Sequence, residues 1–123
     1  MRIVFSAVIS GPPRTKKDSS RIIRAGKFPR ILPSAAYAEW NASAVLQLRK
    51  QFRGAPITEN VNCRAIILRE KAAGDAVGFY QALADTLEDA GVVLNDRQIV
   101  SWDGTRIDKD ARNPRVIFNL EVA

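Results

Sequence analysis

Residues 77–90 read as a helix set between two strands, and that placement restricts the architecture more than any other feature. Phe79, Leu83, Leu87 and Ala90 recur on one helical face, while Gln81, Asp85 and Glu88 fall on the other. Gly91 follows, where helices commonly end in a left-handed residue. The run before, residues 60–69 (NVNCRAIILR), and the run after, residues 98–107 (QIVSWDGTRI), read as strands. The first is apolar enough to be a central strand. A helix that joins two strands packs on the sheet they share.

The remaining elements extend this pattern. Residues 2–9 (RIVFSAVI) alternate as a strand does, which suits them better than a signal peptide, and Gly11-Pro12-Pro13 ends the run. Ser34 is placed to cap a helix over 35–52, with Tyr37, Trp40, Ala44, Leu48 and Phe52 as its core face and Gly54 and Pro56 beyond its end. Residues 115–122 read as the last strand. Between 14 and 33 lies a basic segment long enough to hold a short hairpin, Arg21–Arg24 against Phe28–Leu32, turning at Ala25-Gly26-Lys27. The order is β–loop–α–β–α–β–β. It predicts an α/β (α+β) domain over residues 1–123, a mixed four-stranded sheet carrying two helices, with the basic loop at about 11–33. A chain of 123 residues suits one domain.

Charge divides along the chain. Residues 1–53 hold 11 Lys/Arg against 2 Asp/Glu, and residues 54–123 hold 8 against 11, giving +9 and −3. Arg14, Lys16, Lys17, Arg21, Arg24, Lys27 and Arg30 fall within 17 positions. Such a cluster can neutralise phosphates without reading sequence, so nucleic acid is the simplest partner; a solvated basic loop is the alternative. No apolar run approaches the ~20 residues of a membrane span, and the expected location is cytoplasmic.

The absence of histidine excludes the usual His/Cys zinc sites, Ser-His triads and histidine general bases. The single cysteine, Cys63, stands in a strand-like run and reads as a buried, inert thiol. A metal here must be held by oxygens, which favours Mg²⁺ or Mn²⁺.

Two aspartates flank the 77–90 helix. Asp75 precedes it, where a carboxylate accepts backbone N–H bonds and offsets the helix dipole. Asp96 lies in LNDRQ, where Asn and Asp are ordinary turn residues. A helix of about 14 residues spans roughly 20 Å, so the two carboxylates approach only if the chain returns alongside it. Residues 91–98 are long enough to begin that return.

This stretch resembles the signature of RusA-type Holliday junction resolvases. The signature runs Asp-x-Asp-Asn, a helix with Lys and then Asp-Ala-Leu, Ala-Gly-hydrophobic, and an Asp-Asp pair before Gln-hydrophobic. Here it reads Asp75-Ala76-Val77-Gly78, Gln81, Asp85-Thr86-Leu87, Ala90-Gly91-Val92-Val93, Asn95-Asp96 and Gln98-Ile99-Val100, without a gap from Asp75 to Gln98. GPPRTKKDS resembles the start of the family's first loop. The resemblance implies a homodimeric, Mg²⁺-dependent nuclease acting on four-way DNA junctions in recombination and repair, with Asp75 and Asp96 as catalytic, metal-holding residues. Val77 stands where the second aspartate belongs, Gln81 where the lysine belongs, and Asn95 where an acidic neighbour belongs.

Asp103, in SWDGTR, is expected to replace the carboxylate missing at Val77 and complete a three-carboxylate cluster with Asp75 and Asp96; its local reading is an Asp-Gly turn. Asp85 matches a family aspartate, but its polar-face position suits a solvated surface. Trp40 reads as core by its spacing, and Trp102 either packs or stacks on bases. Three functions fit. The first is a junction-resolving endonuclease. The second is a branched-DNA-binding module on the same fold with weakened catalysis, as Val77 and Gln81 suggest. The third is a small basic protein that binds RNA or other anions.

Overall fold

A computed structural model describes residues 2–16, 21–25, 28–32 and 34–123. In chain order the elements are β1 (Arg2–Ser10), β2 (Arg21–Ala25), β3 (Phe28–Leu32), α1 (Ala35–Gln51), β4 (Val61–Arg69), α2 (Ala76–Asp89), β5 (Ile99–Ser101), β6 (Arg106–Lys109) and β7 (Arg115–Val122). β1, β7 and β4 run side by side as antiparallel pairs, and both β5 and β6 pair parallel to the far side of β4. The main sheet is therefore mixed, and among the described residues it has five strands rather than the four expected. β2 and β3 form a separate antiparallel hairpin with Ile23 opposite Arg30.

Both helices lie on one face of the main sheet. The buried strand residues alternate, with Ala7 and Ile9 from β1, Val61, Cys63, Ala65 and Ile67 from β4, and Val116, Phe118 and Leu120 from β7. They pack against Tyr37, Trp40, Ala44 and Leu48 of α1 and Phe79, Leu83 and Leu87 of α2. Trp40 is thus a core residue, as its spacing implied. Cys63 is fully buried, and burial drives its thiol pKa far above the usual range, so it is an inert packing group.

The helix ends follow the local chemistry. Ser34 Oγ accepts the Tyr37 N–H at 2.9 Å and opens α1. Gly91 adopts φ 75°, which ends α2 without the steric cost a side chain would bring.

Two glutamines one helical turn apart cover the open edge of β1. Gln47 accepts the Ser10 N–H at 2.7 Å and donates to the Ser10 carbonyl at 3.0 Å. Gln51 does the same for Val8, at 3.2 and 3.0 Å. The side-chain amides take the place of a neighbouring strand, because residues i and i+4 of α1 meet residues i and i+2 of β1. Replacing both glutamines by alanine is expected to lower stability by about 1–3 kcal/mol in urea denaturation. It should also expose a strand edge that raises self-association by light scattering.

The strand expected over 98–107 is interrupted. Residues 96–98 form a single 3₁₀ turn, β5 lasts for 99–101, and the ladder resumes only at Arg106. Side chains of distant residues occupy the gap. Asn62, buried in β4, accepts from Ser101 Oγ (2.6 Å) and the Asp103 N–H (2.8 Å) and donates to the Asp103 carbonyl (3.1 Å). Thr105 Oγ accepts the Ala65 N–H at 3.1 Å and donates to the Cys63 carbonyl at 3.0 Å. The Thr105 bonds satisfy backbone groups of β4 that a continuous strand would otherwise have satisfied, and the Asn62 bonds satisfy the backbone of Asp103.

Candidate active site

Asp75 is the N-cap of α2. Its Oδ1 accepts the Gly78 N–H at 2.8 Å. The residue is exposed, and a carboxylate has acceptor capacity beyond one such bond. Arg69, at the end of β4, donates to the Ala73 and Gly74 carbonyls at 3.3 and 3.2 Å and so holds the loop that carries Asp75. Gly78 is required by space. A Cβ there would lie 2.6 Å from Asp75 Oδ1 and 3.0 Å from Thr15 Cγ2. The buried Thr15 thereby clamps the start of α2.

Asp96 opens the 3₁₀ turn beyond α2 and is half-buried. Its N–H donates to Glu88 Oε1 at 2.9 Å. Asn95 caps the same turn by accepting the Arg97 N–H, so its side chain is committed to the backbone. Gln98 holds the turn from beneath. Its Oε1 accepts from the Leu94 and Asn95 N–H groups at 2.8 and 2.9 Å, and its Nε2 donates to the Ile57 and Glu59 carbonyls at 2.7 and 3.0 Å. In the sequence Gln98 stands out only as part of the Asn95–Val100 motif. Its four hydrogen bonds tie the turn that carries Asp96 to the backbone of residues 57 and 59.

The chain does return alongside α2. Asp75 lines a cleft of about 260 Å³ with Thr15, Lys16, Val77, Gly78 and Gln81. Asp96 lines an adjoining cleft with Val77, Tyr80, Gln81, Ala84 and Trp102. Val77 and Gln81 line both, so they form a wall that the two clefts share. Val77 is 71% exposed there. Trp102 stacks on Tyr80, with ring centroids 4.7 Å apart and planes at 11°.

Asp103 does not complete a cluster. Among the described residues no three acidic or Cys side chains gather where they could hold a metal ion. Asp103 is exposed in the β5–β6 turn, where its backbone is tied to Asn62. The expectation of a three-carboxylate site with Asp75 and Asp96 is therefore corrected: Asn62 anchors Asp103 in a turn instead.

Asp85 is also corrected. It is not a solvated surface group, since its side chain is only 18% exposed and pairs with Lys16. Lys16 Nζ also lies 5.7 Å from the Tyr37 ring centroid. The hydrogen bond to Asp85 raises the Lys16 pKa above its ordinary value, against the opposing effect of burial. Arg14 is likewise paired, to Glu70. These two residues of the basic segment are thus pinned to the β4–α2 side of the domain. Arg21 and Arg24 stand on β2 and Arg30 on β3, while Lys17 and Lys27 lie outside the described residues.

No family model matches the chain. Over 82 residues the chain is 32% identical to a protein of Aquifex aeolicus (strain VF5). That relative is a crossover junction endodeoxyribonuclease, RusA. The matched stretch makes up 66% of this chain and 64% of RusA, so the chain spans less than two thirds of the relative's length. Among the described residues no helix is long and apolar enough to cross a membrane.

Proposed function

We propose that the chain is a RusA-type, divalent-metal-dependent endonuclease that hydrolyses phosphodiesters of four-way DNA junctions. The observation that carries this reading is the pair of clefts in which Asp75 and Asp96 face a common wall, in a chain similar to a crossover junction endodeoxyribonuclease. Mg²⁺ is often bound by one or two carboxylates plus substrate phosphates and water, and two carboxylates meet that requirement. Asp75 and Asp96 would hold Mg²⁺ or Mn²⁺, which supplies water activation and charge stabilisation at the phosphate. Hydrolysis joins the water oxygen to phosphorus and breaks one phosphate ester bond, and the departing oxygen takes up a proton.

Arg14, Lys16, Lys17, Arg21, Arg24, Lys27 and Arg30 are the proposed phosphate contacts. They give affinity for backbone and shape rather than for base sequence. The chain would act as a homodimer, because two symmetric incisions across a junction need two related sites.

Val77 favours a second reading. It carries no donor atom, and it is exposed on the wall that the two clefts share. In that reading the protein binds branched DNA and cuts it poorly. The two are separated by incubating a labelled four-way junction and a linear duplex of the same arms with the protein in Mg²⁺ or Mn²⁺. Paired nicks in the junction alone support the nuclease. Junction-selective binding without nicks in either metal supports the binding module, and equal affinity for both DNAs without nicks in either overturns both readings.

A further inference from the structure

The Asp75 cleft has a cation of its own, supplied from outside α2. Of the described residues that line it, Lys16 carries the positive charge and Asp75 the negative. Lys16 is placed by its neighbours: Thr15 beside it is buried against the start of α2, and Asp85 takes its ammonium. An ammonium has three N–H donors, so an ion pair with one carboxylate leaves others for a ligand. The Lys16 side chain remains 41% exposed, and it lines the cleft beside Gln81, one helical turn before Asp85. A phosphodiester that enters beside Asp75 meets like charge, and a fixed ammonium offsets part of it beside any metal ion held there.

We propose that Lys16 is the phosphate-binding cation of the Asp75 cleft, and that Asp85 is the positioning residue that holds its ammonium there. The assignment rests on the nuclease reading above. Lys16 donates hydrogen bonds to a non-bridging phosphate oxygen and stays protonated throughout. Asp85 touches no substrate; it keeps a long, flexible side chain in one place.

The test is single-turnover cleavage of a labelled four-way junction in Mg²⁺, with junction affinity and thermal unfolding measured on the same proteins. Lys16→Gln is expected to slow cleavage by about 10²-fold, the loss typical of one fixed transition-state donor. Asp85→Asn keeps the lysine but frees it, and is expected to slow cleavage by about tenfold while junction affinity holds. Adding Gln81→Lys to Lys16→Gln returns an ammonium to the same cleft from α2 and should recover at least about tenfold. A merely structural Lys16–Asp85 tie predicts no such rescue, because a lysine on α2 cannot tether residue 16 to the helix. If the wild-type chain cuts junctions and Lys16→Gln cuts them equally fast, the assignment is overturned while the nuclease reading stands. Slowing without rescue, matched by a fall in unfolding temperature, also overturns it. If the wild-type chain cuts no branched DNA, the nuclease reading fails and this assignment fails with it.

Discussion

Asp75→Asn is expected to abolish junction cleavage while leaving the fold intact. Asp75 has two separable roles. Its Oδ1 caps α2 through Gly78, and its negative charge belongs to the proposed metal site. Asparagine caps helices about as well as aspartate, so stability should change by less than about 0.5 kcal/mol. The charge is lost, and cleavage should fall by at least about 10²–10³-fold. Asp75→Ala removes the cap as well and should cost about 1 kcal/mol of stability in addition. Urea denaturation beside a cleavage assay separates the two roles. If Asp75→Asn retains wild-type cleavage, Asp75 is only a cap.

Val77→Asp is expected to move the protein in the opposite direction. Val77 is 71% exposed, so its replacement sacrifices little packing. It lies in the first turn of α2, which contains no acidic residue, and a carboxylate there interacts favourably with the helix dipole. It also lies on the wall shared by the Asp75 and Asp96 clefts, so a third carboxylate would join the two already present. Affinity for Mg²⁺ should rise by roughly tenfold or more, since charge count tunes the strength of such sites. Junction cleavage at low Mg²⁺ should rise with it. Unchanged metal affinity and rate in Val77→Asp would show that Asp75 and Asp96 do not act across that wall.

The elements legible in the sequence were those fixed by neighbours along the chain. Ser34, Asp75 and Gly91 mark helix ends through bonds or angles that span a few residues, and each sits where its type predicts. The buried faces of α1 and α2 follow the 3.6-residue period. What escaped depends on residues far apart in sequence. The break in the 98–107 run is imposed by Asn62 and by Thr105 bonding back to β4, about forty positions away in each case. Asp85 looked solvated because its helical face is polar, yet Lys16 of the N-terminal segment covers it. Asp103 lies in an Asp-Gly turn, as its local sequence allowed, and Asn62 holds that turn in place. The return of Asp96 to the side of α2 was only permitted by chain length. Gln98 and Glu88 accomplish it through hydrogen bonds that no local pattern announces.

In the proposed nuclease, Asp75 and Asp96 act as one site across the Val77–Gln81 wall. The most direct test is calorimetric titration of Mn²⁺ into the wild-type chain, Asp75→Asn, Asp96→Asn and the double variant, each with a saturating uncut junction analogue. The account predicts one binding event per chain that either single substitution weakens about as much as both together, because ligands of one ion act as a unit. Separate losses that add in the double variant, or Mn²⁺ binding indifferent to both residues, would contradict it.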